Sequence, residues 1–333
     1  MLRLVPIAIA AGAAGFLASA PAISQPMPAP AAAHAEPAPS LPAIDRSSQT
    51  EDVRFRSDLN QRMTVGVMVG GTGPYRFIVD TGADRTVVST ELAAALKLAS
   101  AGTAPLHSTV GISPVETATV PTLQVTRNVV RNIVAPVLGS SHIGADGILG
   151  VDALRSQRID LDFRTQTMSV VPATTPIERD AGQNEIVVEG HRRNGRLVVT
   201  EANINGISVT VVLDTGAEVS VGNEALRTAL FARGRTDQFH RVEIQAVTGD
   251  MIFGEVALVD RLDIGGANLN RLPVVFASAH IFNELKLDRK PALLLGMNAM
   301  RAFQKVSIDF AAQRLRVVIP EHSALDIHFA YKL

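Results

Sequence analysis

From residue 63 the apolar positions come in short runs, each stopped by glycine, proline or a polar cluster. "MTVGVMV" (Met63 to Val69) precedes "GGTGP", and "YRFIVDTG" follows. The pattern predicts strand, Gly-rich turn, strand, loop. "STELAAALKL" (Ser89 to Leu98) predicts a short helix, with Ser89 or Thr90 as N-cap and Glu91 in the first turn. "HSTVGISPVETATV" (His107 to Val120) predicts a hairpin turning near Gly111 to Pro114. "ADGILGVDALRSQRIDLDFRTQTMSVV" then gives an apolar run, a short helix over 151–155 and two closing strands.

The second half repeats this order. "GRLVVTEANINGISVTVVLDTG" predicts a strand, a turn at Asn205-Gly206, a strand and a loop. "GNEALRTAL" predicts a short helix, and "VEIQAVTGDMIFGEVALV" a hairpin turning near Thr248-Gly249-Asp250. "ALLLGMNAMRAFQKVSIDFAAQRLRVVIP" again predicts an apolar run, a short helix and two strands. Asp80 and Asp214, which follow matching apolar strands, lie 134 positions apart, whereas Gly150 and Gly296 lie 146 apart. The second copy thus carries 12 extra residues, and "SAHIFNELKLDRKP" (Ser278 to Pro291) is the natural place for them. These features predict a mainly β chain of two lobes, 55–174 and 189–322, joined by a polar linker at 175–188 and followed by a tail at 323–333.

Composition agrees with two β lobes. At about 150 residues per domain, 333 residues predict two domains. Apolar residues make up 47% but aromatics only 4%, with no Trp, so the core must be Val, Ile and Leu, which favour strands. A net charge of −1 without long runs of one sign argues against a nucleic-acid partner. Without cysteine the chain has no disulfide, thiol nucleophile or Cys-ligated metal. "MLRLVPIAIAAGAAGFLASA" has a basic start, an apolar run of about 14 residues and an Ala-x-Ala-like end, the layout of a signal peptide over 1–25. An uncleaved membrane anchor is the alternative. Both predict export, to the periplasm in a bacterium. Residues 26–54, rich in Pro and Ala, predict a linker, with a pro-segment as the alternative.

The candidate chemistry sits in "IVDTGADRTV" (Ile78 to Val87) and "VLDTGAEVSV" (Val212 to Val221). Each puts an Asp at the end of an apolar strand, with Gly82 or Gly216 expected to supply turn geometry closed to other residues. A lone buried carboxylate would take up a proton. Two lobes related by a pseudo-two-fold axis would bring Asp80 and Asp214 together, where they would share one proton. The charged member could then act as general base on a bound water and the protonated one as general acid. Neither a metal nor a cofactor is needed, and no zinc-protease or serine-hydrolase signature is present. Asp84 and Glu218 read as surface ion-pair partners, for instance of Arg85 or an Arg of the following helix. Asp146 and Asp152 read as loop and helix-cap residues, with Asn298 as the second cap, and the eight His residues as surface or packing residues.

The two phrases resemble the active-site loops of pepsin-like and retropepsin-like aspartic proteases, and "DTGADRT" is especially close to the retropepsin form. "GILGVDALRSQRIDLDF" and "LLLGMNAMRAFQKVSIDF" resemble the family's second landmark, two apolar residues and a Gly before a short helix: Ile148-Leu149-Gly150 and Leu294-Leu295-Gly296. The resemblance covers about 55–320. It implies an acid-protease fold of two retropepsin-like β-barrel lobes with short helices, hydrolysing peptide or protein substrates. It also implies that Asp80 and Asp214 are catalytic and that Thr81 and Thr215 hydrogen-bond across the lobe interface. Gly82 and Gly216 would support the carboxylates through their N–H groups. Flaps would form around Val110-Gly111-Ile112 and Val247-Thr248-Gly249, although no flap Tyr is present. Fusion of both copies implies a monomer. Two alternatives stay open: a peptide-binding module with weak or absent catalysis, and a protease active only as a homodimer.

Overall fold

The computed structural model describes residues 52–54, 56–57, 63–125, 128–176, 185–231, 239–320 and 326–328. The expected signal peptide, nearly all of the Pro/Ala-rich stretch and most of the tail lie outside these residues. The fold is mainly β, with two lobes of like topology and short helices. In the first lobe Met63–Val69 and Thr72–Val79 form a hairpin whose turn, Gly70-Gly71, has both φ angles positive. Thr72–Val79 runs parallel to Gly147–Leu149, which lies antiparallel to Val87–Ser89. Val87–Ser89 pairs parallel with Asn128–Leu138, which pairs in turn with Ile112–Val125, the partner of Ala99–His107. Pairing of Met68 with Gln124 and Val69 with Leu123 folds the sheet back onto its first strand.

The second lobe repeats this topology. Arg196–Ile204 and Ile207–Leu213 form the opening hairpin, and its Asn205-Gly206 turn also has positive φ at both residues. Ile207–Leu213 is parallel to Ala292–Leu295, which is antiparallel to Ser220–Gly222. Ser220–Gly222 is parallel to Ala267–Phe276, followed by Met251–Ile264 and His240–Gln245. Ala202 to Ile204 close back onto Leu262 to Ile264. Within the tail, Asp326–His328 adds a parallel strand beside Asn268 to Asn270.

A third sheet joins the lobes, because the closing strands of each half pair with those of the other. Gln157–Asp162 lies antiparallel to Lys305–Asp309, with Asp160 opposite Ser307 at the centre of the register. Thr167–Pro172 and Arg314–Val318 flank them, and the edges are Asp52–Arg54 and Glu185–Glu189. Hence the segment expected to finish as a linker at 188 already carries an ordered edge strand from Glu185. Ile159, Leu161, Val306 and Ile308 are fully buried and belong to a core that continues into both lobes.

Three local expectations need correction. The first-lobe hairpin turns at Ser108 to Gly111, where Ser108 N–H bonds the Gly111 carbonyl, not at Gly111 to Pro114. Its strands are longer than expected, and Pro114 faces Pro105, a pair that demands no N–H donor. The extra residues of the second copy fall only partly where expected: Phe276 is joined to Ala292 by 277–291, against 139–146 in the first lobe. Finally, the helix expected over Ser89 to Leu98 spans only Thr90–Ala95, capped by the Ser89 hydroxyl, which accepts from Leu92 N–H at 3.0 Å.

Candidate active site

Each Asp-Thr-Gly loop hangs from the apolar segment behind it. Asp80 N–H donates to the Leu149 carbonyl and Asp214 N–H to the Leu295 carbonyl, both at 3.1 Å. On the far side Val151 N–H donates to Ala83 O at 2.9 Å and Met297 N–H to Ala217 O at 2.8 Å. A Cβ on Gly150 would lie 2.5 Å from the Arg85 carbonyl carbon, and one on Gly296 2.6 Å from that of Val219. Only glycine lets the two backbones approach this closely. Ile148, Leu149, Leu294 and Leu295 are buried beneath the loops.

A relay of side chains fastens each loop to its landmark. Gly150 N–H donates to the Thr86 hydroxyl, which donates to Asp152 Oδ1 at 2.7 Å. The second copy matches: Gly296 N–H donates to the Ser220 hydroxyl, which donates to Asn298 Oδ1 at 2.8 Å. Asp152 and Asn298 therefore anchor loops. Both lie inside the short helices Val151–Leu154 and Met297–Met300, whose N-caps are Gly150 and Gly296 without a side-chain cap, contrary to the capping role expected for both. Asp146 is a loop residue whose carboxylate accepts from Arg76 N–H at 2.7 Å.

Across the lobe interface the two loops grip each other. Thr81 N–H donates to the Thr215 hydroxyl at 3.0 Å, and that hydroxyl donates to Val79 O at 2.7 Å. In the mirrored pair Thr215 N–H donates to the Thr81 hydroxyl at 3.1 Å, which donates to Leu213 O at 3.0 Å. Both Thr side chains are fully buried. This grip brings Asp80 and Asp214 into mutual hydrogen-bonding contact. The Asp80 carboxylate accepts from its own loop at Gly82 N–H (2.7 Å) and Ala83 N–H (3.0 Å), and Asp214 from Gly216 N–H and Ala217 N–H (both 3.0 Å). Neither Gly82 nor Gly216 has positive φ, so the expected backbone reason for them is wrong. Space is the reason: a Cβ on Gly82 would lie 2.5 Å from Asp214 Cγ, and one on Gly216 2.3 Å from Asp80 Cγ. Each carboxyl rests on the glycine of the other lobe.

Burial, then the charge of Asp214, pushes the Asp80 carboxyl up to about 7, against the opposing pull of Gly82 N–H and the Arg196 guanidinium. Asp214 is also raised by burial, with the Ala217 N–H, Arg196 and the Gly216 N–H opposing. The pair thus retains a proton into the neutral range.

Arg196 had no sequence signal. Its guanidinium is buried against the first-lobe loop, where Nε donates to Gly82 O at 2.5 Å. Nη1 lies 3.0 Å from Asp84 and 3.6 Å from Glu284. Asp84 is therefore paired across the lobe interface and not with Arg85 or a following helix, as expected. Burial raises the Asp84 pKa most, Arg196 opposes, and the charge of Glu284 and a hydrogen bond to it raise it further. A partner 112 positions away leaves no trace in local spacing.

Both candidate flaps reach the opposite lobe. Val110 and Gly111 lie in the first-lobe turn, and Ile112, 55% exposed, starts the returning strand. Thr109 O accepts from His280 N–H at 2.8 Å, and His107 Nδ1 lies 3.2 Å from His280 Nε2. In the second lobe Val247 packs against the first-lobe cluster of Ile78, Val87 and Ile148. Thr248 donates to Asp250, and Gly249 abuts the ring of His142. The His residues, read as surface or packing positions, include three at these contacts.

Comparison with known families gives a match in each half. Residues 65–156 match the family described as "gag-polyprotein putative aspartyl protease". Residues 200–299 match the family described as "Aspartyl protease". Each match contains one Asp-Thr-Gly loop and its apolar-apolar-Gly landmark. No curated protein matches the chain.

Proposed function

The chain belongs to the two-lobed aspartic proteases, its halves being retropepsin-like aspartyl protease domains in tandem, and from that premise we propose that it is an endopeptidase whose active site is the Asp80–Asp214 pair. The observation that carries this reading is the reciprocal packing of each carboxyl on the other lobe's glycine. In this reading the two groups share one proton and hold a water between them, and the cross-lobe packing supports it.

In this reading the ionised carboxylate removes a proton from the water as its oxygen attacks the peptide carbonyl carbon. The protonated partner gives its proton to the carbonyl oxygen, forming a tetrahedral diol. The newly protonated carboxyl then gives its proton to the amide nitrogen while the other carboxylate takes a proton from a diol hydroxyl; the C–N bond breaks, acid and amine leave, and the pair is again singly protonated. The Thr81–Thr215 grip holds the geometry, and fixed N–H donors on each carboxylate spare the site reorganisation during the reaction. Loss of the shared proton near pH 7 sets the upper limit of activity, so cleavage should fall as pH rises above neutral.

A mixed peptide library, incubated across pH 3 to 8 with and without a statine-type transition-state mimic, tests the proposal. Cleavage that the mimic suppresses is expected. Absence of such cleavage at every pH would favour the peptide-binding module instead.

A further inference from the structure

We propose that His107 and His280 are positioning residues that latch the first-lobe hairpin shut over the Asp80–Asp214 site, and that the latch opens when both imidazoles are protonated. The inference rests on the proposed peptide-cleaving role of that site. His280 holds the hairpin tip twice. Its N–H donates to Thr109 O at 2.8 Å, and its Nε2 lies 3.2 Å from His107 Nδ1 with the rings tilted by 30°. A nitrogen-to-nitrogen hydrogen bond needs one N–H and one lone pair. Two neutral imidazoles satisfy it, as do one neutral and one charged. Two imidazolium rings cannot, and they repel each other. Imidazole is the side chain that ordinarily changes charge between pH 5 and 8.

The surrounding charges do not cancel that repulsion. Asp84 is close enough to His107 for their charges to interact. However, Asp84 and Glu284, the latter on the same helix as His280, both face the Arg196 guanidinium. Two carboxylates beside one guanidinium leave one net negative charge, against two positive charges on a doubly protonated imidazole pair. On the hairpin itself Glu116 pairs with Thr103, several rungs from the tip. Asp250 of the other hairpin is bound to Thr248. That other hairpin meets the His142 ring through Gly249 by packing, so only the first-lobe contact depends on an imidazole pair.

The chain has no cysteine, so Ile112→Cys and Asn283→Cys can carry spin labels on the hairpin and on the His280–Glu284 helix of the full chain. Between pH 8 and pH 5 the ratio of long to short label separations should rise about tenfold. With His280→Gln, which keeps a hydrogen-bonding side chain but cannot charge, the short separation should persist at both pH values. Protection of the residue 280 amide against hydrogen exchange, corrected for intrinsic pH dependence, gives the same readout without labels. A separation and protection independent of pH, or the same pH response in His280→Gln, would overturn the latch. Peptide cleavage is assayed in parallel. A pH-responsive hairpin on a chain that cleaves nothing keeps the latch and removes the protease reading, whereas cleavage with an unresponsive hairpin does the reverse.

Discussion

A carboxyl held near 7 against an ordinary 3.8 makes folding stability depend on pH with a definite sign. Between those values the folded chain binds more protons than the unfolded chain, so the Asp80 contribution is full below pH 3.8 and is lost as pH rises through about 7. Asp80→Asn cannot ionise and escapes that loss. The variant should match the parent near pH 3.5 and exceed it above pH 7.5, as measured by thermal unfolding at both values. The full difference converts to about 4 kcal/mol. Asp80 and Asp214 are only partly buried, so the gain should be on the order of 2 kcal/mol. Equal melting temperatures at pH 7.5 would show that burial and the Asp214 charge do not raise the Asp80 carboxyl. At this scale Asp80 and Asp214 were legible because the phrase around each recurs. The true role of Gly82 and Gly216 was not, since it depends on an atom of the other lobe. Arg196 and Glu284 were invisible for the same reason.

At the scale of elements, the internal repeat supplies its own control. Asp152 and Asn298 occupy matching places, and each accepts from a hydroxyl and an N–H of the loop in front, Thr86 or Ser220. Only the accepting oxygen is needed. Asp152→Asn should therefore cost under about 1 kcal/mol, whereas Asp152→Ala leaves buried donors unmet and should cost about 2–3 kcal/mol in denaturant unfolding. Equal costs for the two substitutions would mean that charge, not hydrogen bonding, fixes the loop. Strand order, the two-residue turns and the short helices were readable from apolar periodicity and from Gly and Asn. The first hairpin turn was misplaced because Gly111 and Pro114 are turn formers in most contexts. Here Ser108 closes the turn with its hydroxyl, accepting from Val110 and Gly111 N–H at 3.3 Å.

At the largest scale the two lobes are held as one by the sheet they share. Its central strands come from different halves and their buried Ile159 and Ile308 sit directly opposite each other. Unfolding should be a single cooperative transition despite the two-lobed repeat. Ile159→Ala should lower stability by about 3 kcal/mol and shift both lobes together when each is monitored by its own probe. Two separate transitions would contradict the shared core. Each lobe's closing strands were legible, but their pairing with the other lobe was not, because periodicity gives the faces of a strand and not its partner. The same sheet and the Thr81–Thr215 grip make the site a property of both halves at once. If Asp80 and Asp214 act as one unit, their losses in kcat/KM must not add. The direct measurement is kcat/KM on one cleaved peptide for Asp80→Asn, Asp214→Asn and the double variant. Each single substitution should abolish activity to about the level of the double, by about 10³-fold or more; a single variant that keeps full activity, or two partial losses that multiply in the double, would contradict a shared pair.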